Sequence, residues 1–83
     1  MELKNKGGWV LEVFSLARKH RIKLKVDELF LHEYNIYQAD FLIKERNQDF
    51  EEDLCRKKDF SFSVHEQDKD NWKIRMFNRS SLL

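Results

Sequence analysis

Six basic residues fall within eight positions, Arg18, Lys19, His20, Arg21, Lys23 and Lys25, with no acid among them. Lys73, Arg75 and Arg79 follow near the C-terminus, spaced around Phe77. Ammonium and guanidinium groups set out in this way neutralise phosphates, and an aromatic ring among them can touch a base or sugar. The candidate nucleic-acid contacts are therefore Arg18, Lys19, Arg21, Lys23, Lys25, Lys73, Arg75 and Arg79. The plainer account of these cations is a solvated face that offsets the acidic stretch from Glu45 to Asp53. That stretch suggests a second chemistry. Glu45, Asp49, Glu51, Glu52 and Asp53 would suit docking on a basic protein target, as an inhibitor, antitoxin-like or immunity-like protein does. Its plainer account is an ordinary helix face.

Catalytic and metal chemistry find little support. His20, His32 and His65 lack the spacing of a metal site, and the run from His32 to Ile36 lacks the second histidine that a zincin helix needs. Asp68, Asp70 and Trp72 begin like a calcium loop, but neither the central glycine nor the closing glutamate follows. Gly7 and Gly8 are the only glycines, too few and too early for a phosphate cradle. Ser15, Ser61, Ser63 and Cys55 have no recognisable base nearby in sequence. The expectation is a non-enzymatic protein with no cofactor and no metal.

Composition limits the choices further. Eighty-three residues make one small domain, and 41% hydrophobic with 13% aromatic content is ample for a single core. Lys+Arg 16 against Asp+Glu 15 leaves a net charge of +1, so there is no global field and recognition must come from local patches. One cysteine, Cys55, precludes an internal disulfide and is expected half-buried and reduced. With no apolar signal core and no run of membrane-spanning length, the expected location is cytoplasmic, with no membrane partner.

A series of helices and strands must position these groups. Phe60, Phe62 and Val64 alternate with Ser61, Ser63 and His65, and Trp72, Ile74 and Met76 alternate with Lys73, Arg75 and Phe77. Period two puts one apolar row on each strand, and the Asp- and Asn-rich run between them predicts a turn. The result is an antiparallel hairpin with one oily face, whose Trp72 should be buried against the first helix. Trp9, Val10, Val13, Phe14, Leu16 and Ala17 predict that helix over residues 9–20, behind a flexible lead-in over residues 1–8. Arg21 to Val26 reads as a short strand or connector, and Asp27 as the N-cap of a helix through Tyr34, stopped by Asn35. Residues 36–44 alternate as a strand, while Phe30, Tyr34, Tyr37 and Phe41 also fit one long helix from Asp27. The strand is preferred because that helix would be oily on two sides. Asn47 or Asp49 caps a short helix carrying Phe50 and Leu54. The tail over residues 80–83 is expected loose.

The predicted fold is α+β, with N-terminal helices packed on a C-terminal antiparallel β-hairpin that residues 36–44 could extend to three strands. This order of elements resembles a winged helix-turn-helix, in which the helix before the hairpin enters the major groove and the hairpin serves as a wing. The resemblance implies a recognition helix carrying Gln38, Lys44, Arg46 and Gln48, with Asp40 and Glu45 repelling phosphate. The expected function is a small binding and regulatory module, DNA-binding or otherwise nucleic-acid-binding, with a protein partner as the alternative. The outer edge of the hairpin is open to pairing with a second copy of the chain.

Overall fold

The computed structural model describes residues 3–68 and 70–79, with side chains from Gly8 onward. The expected loose tail at 80–83 lies outside the described residues, as do residues 1, 2 and 69. The element order is α1 (Leu3–Lys19), β1 (Lys25–His32), β2 (Asn35–Ile43), α2 (Gln48–Cys55), β3 (Phe60–Asp68) and β4 (Asn71–Asn78). The strands form one antiparallel sheet in the order β1-β2-β4-β3, so β2 and β4 are central and β1 and β3 are edges.

This arrangement overturns the winged-helix order. Only α1 precedes the sheet, α2 stands between its two hairpins, and the segment expected as a helix from Asp27 is the edge strand β1. Nor is the C-terminal hairpin an appendage. β4 pairs with β3 on one side and with β2 on the other, from Gln38 opposite Phe77 to Ile43 opposite Trp72. Residues 36–43 are strand, with Lys44 just past its end, but in the middle of four strands rather than at the end of three. The candidate recognition helix does not exist: Gln38 lies in β2, Lys44 and Arg46 in the loop after it, and only Gln48 in α2.

Two β-bulges explain how β1 passes for a helix. The register jumps from Val26 opposite Phe41 to Glu28 opposite Asp40, so Asp27 is an extra residue on β1. It jumps again from Phe30 opposite Gln38 to Leu31 opposite Ile36, so Tyr37 is an extra residue on β2. Each bulge interrupts the alternation of faces. Apolar residues that share the helix-covered face are then three apart, Val26 to Leu29 and Ile36 to Ala39, as they would be in a helix. Asp27 is no N-cap. Its carboxylate meets the Lys73 ammonium at 3.2 Å on the opposite face of the sheet.

Both helices cover one face. Trp9, Val10, Val13 and Ala17 of α1 and Phe50 and Leu54 of α2 close over Ala39, Phe41, Ile43, Phe60, Ile74 and Met76, forming a single buried cluster. Phe14 meets Phe41 edge-on with ring centres 5.6 Å apart, and Trp9 lies 5.6 Å from Phe60 while its indole N–H donates to the Ile36 carbonyl at 2.8 Å. α1 starts at Leu3, so Gly7 and Gly8 lie within the helix rather than in a lead-in. Asn47 is the residue that caps α2, accepting from the Phe50 N–H at 2.9 Å. Trp72 is not buried against α1. It is half-buried at the start of β4, with the Arg46 guanidinium 5.4 Å from its ring centre. Cys55 ends α2 and is exposed rather than half-buried. Among the described residues no helix is long and apolar enough to cross a membrane.

Candidate anion-binding groove

The end of α1 determines where the first basic run goes. The Arg21 N–H donates to the Arg18 carbonyl at 3.0 Å and the Ile22 N–H to the Ala17 carbonyl at 2.8 Å, the paired bonds of a Schellman cap. Arg21 takes the left-handed position at φ 59, where glycine is usual. The chain thereby leaves the helix sharply, Ile22 and Leu24 turn in against the core, and Arg21, Lys23 and Lys25 stand exposed.

These three cations border a cleft of about 570 Å³ between the α1–β1 connector and the β2–α2 loop. Lys44 and Arg46 face them from the loop, while Ile22, Leu24, Leu42 and Ile43 line it with apolar surface. Glu45 is the one acid among its lining residues. Arg21, Lys23, Lys25 and Lys44 have no carboxylate within ion-pair distance among the described residues. Arg46 is engaged by both oxygens of Glu51, at 2.7 and 3.0 Å, which fixes its planar head over Trp72. His20 closes one end, its Nε2 2.6 Å from Asp53. The hydrogen bond to His20, opposed by burial and aided by the charges of Lys19, His20 and Arg56, holds the Asp53 carboxyl below its ordinary range.

The other predicted contacts are dispersed. Arg18 and Lys19 are exposed on the last turn of α1, Arg18 bordering a second hollow that shares Arg21, Ile22, Lys23 and Leu24 with the groove. Lys73 and Arg75 lie on the uncovered face of the sheet, and both are neutralised there. Lys73 pairs with Asp27, and Arg75 holds Asp40 through two bonds of 3.1 and 3.2 Å. Arg79 is exposed past β4, its N–H bonded to the Asp59 carbonyl. Phe77 shares the uncovered face with Gln38 and Ser61 and does not line the groove.

Asp40, expected to repel phosphate, is instead the best-enclosed ionisable side chain among the described residues, 1% exposed. Burial alone would raise its pKa. Hydrogen bonds from Arg75 and Gln38, with the charges of Arg75 and Lys73, outweigh that and hold it below the ordinary 3.8.

The acidic stretch is largely used up internally. Glu51 holds Arg46, Asp53 bridges His20 and Arg56, and Gln48 donates to Glu52, leaving Glu45 and Asp49 as its unengaged acids among the described residues.

Two placements were not legible in the sequence. Lys44 and Arg46, expected on a recognition helix, instead complete the groove from the β2–α2 loop, facing the basic run. Ser63, which was assigned no base, has His65 Nε2 2.7 Å from its hydroxyl. Activation of a serine also needs the imidazole oriented from its other nitrogen, and no such carboxylate contact exists among the described residues. Nor do any three His, Cys, Asp or Glu side chains among the described residues group as a metal site would require.

No family model, no curated protein and no solved structure matches this chain.

The cap at Arg21 permits a test that separates its two roles. A non-glycine residue in the left-handed region costs about 1 kcal/mol. Arg21→Gly should therefore raise unfolding stability by roughly 0.5–1 kcal/mol in urea titrations while weakening any ligand held in the groove. A variant less stable than the parent would show that the arginine side chain, not the backbone, secures this corner.

Proposed function

We propose that the protein is a non-enzymatic binding module that holds nucleic acid by its phosphates in this groove. The observation that carries the reading is the convergence of Arg21, Lys23, Lys25 and Lys44, none engaged by an acid among the described residues, around one apolar-floored cleft. Unpaired cations in a concave surface concentrate a field that the net charge of +1 does not suggest. No Phe, Tyr or Trp among the described residues lines the groove, and its one ring, the His20 imidazole, is held by Asp53, so binding is led by phosphate contact and is largely indifferent to sequence. Lys73 and Arg75, already paired with Asp27 and Asp40, leave the earlier footprint. The acidic segment makes a poorer docking surface, because Glu51 and Asp53 are already committed to internal ion pairs. A cytoplasmic location, where the exposed Cys55 would stay reduced, fits this role.

The test is binding to duplex and single-stranded DNA across a salt series. Affinity should fall linearly with the logarithm of salt, by about 0.9 in slope per phosphate neutralised on a duplex and about 0.7 on a single strand. Replacing Lys23, Lys25 and Lys44 together with glutamine should reduce the slope by up to about 3 on a duplex and weaken binding at low salt by orders of magnitude. All three are exposed, so the melting temperature should hardly move. An unchanged slope removes the groove from the interface, and no binding by the parent at low salt removes the function.

A further inference from the structure

The edge strand β1 carries an exposed apolar row that nothing in the groove uses. Leu29 is 37% exposed and Leu31 56%, and both lie on the helix-covered face, opposite Ala39 and Ile36. Tyr34, exposed in the turn beyond them, is held with Glu33 at positive φ (67 and 51) in a two-residue connection between His32 and Asn35. Edge strands are normally blunted by charge, by proline or by a bulge. β1 has its bulge at Asp27, but the run from Glu28 to His32 on this strand contains no extra residue and no proline. The one irregularity beside this run, between Phe30 and Leu31, is the Tyr37 bulge on β2, so the extra residue lies on the inner partner and not on the outer edge.

That run is complementary to itself. If two copies of β1 pair antiparallel about a two-fold axis through Phe30, Leu29 of each stands opposite Leu31 of the other, and Glu28 of each opposite His32 of the other. Directly opposed residues share a face. The leucines then meet on the helix-covered side, and the carboxylates meet imidazole N–H donors on the other. A shift of one position, to an axis through Leu29, would set Asp27 against Leu31 and Val26 against His32, losing both matches. The other edge, β3, offers Ser61, Ser63, His65, Glu66 and Asp68 and no exposed large apolar side chain. We infer that the occupant of the β1 edge is a second copy of this chain, joined strand to strand through Glu28–His32 to make a continuous eight-stranded sheet. This replaces pairing through the C-terminal hairpin, where β4 is interior and β3 is polar. It does not depend on the groove.

Five residues a side make an interface smaller than the standard protein–protein contact, so the dissociation constant should be on the order of 10 µM. Sedimentation equilibrium from about 1 µM to about 1 mM should show a monomer–dimer transition in the parent protein. Leu31→Lys places a cation opposite leucine at both ends of the contact and should raise the dissociation constant at least about tenfold, with an unchanged melting temperature for the monomer. Register is read by crosslinking in a Cys55→Ser background. Phe30→Cys sits on the two-fold axis and should form a disulfide-linked dimer on mild oxidation, whereas Ser63→Cys should not. A parent protein that stays monomeric throughout overturns the inference. So does a dimer indifferent to Leu31→Lys, or one that crosslinks through Ser63→Cys but not through Phe30→Cys.

Discussion

Phe41→Ala is expected to cost about 3–5 kcal/mol, the largest single-residue loss in the molecule. Phe41 is 0% exposed on the central strand β2, opposite Val26 on β1 and Ile74 on β4, and Phe14 of α1 stands edge-on over its ring. It thus joins three strands to a helix at one point. Removing the ring takes away its own burial and leaves a cavity that a sheet held on both sides cannot collapse. A domain of this size has roughly 5–15 kcal/mol in total, so much of the variant should be unfolded at moderate temperature. A thermal scan should show a midpoint lower by about 4–8 °C for each kcal/mol lost. Trp72→Ala should cost distinctly less, because Trp72 is half-buried and covered by a surface arginine rather than by α1. If Trp72→Ala proved the worse of the two, the packing of the helices over β2 would be refuted.

Asp40→Ala should cost about 1.5–3 kcal/mol near neutral pH, the range for a hydrogen bond to a charged group. The carboxylate is enclosed and accepts from Arg75 twice and from Gln38 once, at 3.1 Å. Arg75, 41% exposed, can recover hydration when its partner is gone, which keeps the loss below that of a sealed pair. The same site sets part of the acid response. Its pKa is depressed in the folded state, so its contribution is fully present above the ordinary value of 3.8 and is lost as pH falls through the lower folded value. Parent stability, followed by urea unfolding from neutral pH downward, should therefore drop below about pH 4. Asp40→Ala should show a shallower drop, since this proton uptake is removed. Asp40→Asn keeps the shape without the charge and should share the shallow drop while losing less stability at neutral pH. Asp53, also depressed, continues to titrate in both variants. An acid profile identical in parent and variants would mean that Asp40 carries no charge-dependent stability.

The neutralisation of Arg75 and Lys73 bears on function as much as on stability. Their positions suit a wing that grips phosphate. In the fold they hold strands together instead, Arg75 linking β4 to Asp40 of β2 and Lys73 linking β4 to Asp27 of β1. Among the described residues, cations without such partners converge from two separate segments where the connector and the loop meet, and that difference, not the total of basic residues, picks out the groove.

Much of the local structure was legible in the residues themselves. Period-two alternation marked β3 and β4 and the face each buries, because both strands run without an interruption until Glu66. The apolar stripe from Trp9 to Ala17 marked α1, and Asn47 three residues before Phe50 marked the cap of α2. The basic run from Arg18 to Lys25 was plain from its side-chain types. β1 was hidden for a physical reason. Its bulge at Asp27 and that of β2 at Tyr37 set apolar residues three apart, and the turn between them uses Glu33 and Tyr34 where Asn-Gly would have announced a hairpin. Tertiary structure alone decided that β4 is central, that Lys44 and Arg46 face the first basic run, and that Arg75 belongs to Asp40, thirty-five positions away. Sequence determines which charges exist and which face of an uninterrupted strand they occupy. Which of them are cancelled depends on the register between strands, and that register follows from bulges and core packing that no local pattern reports.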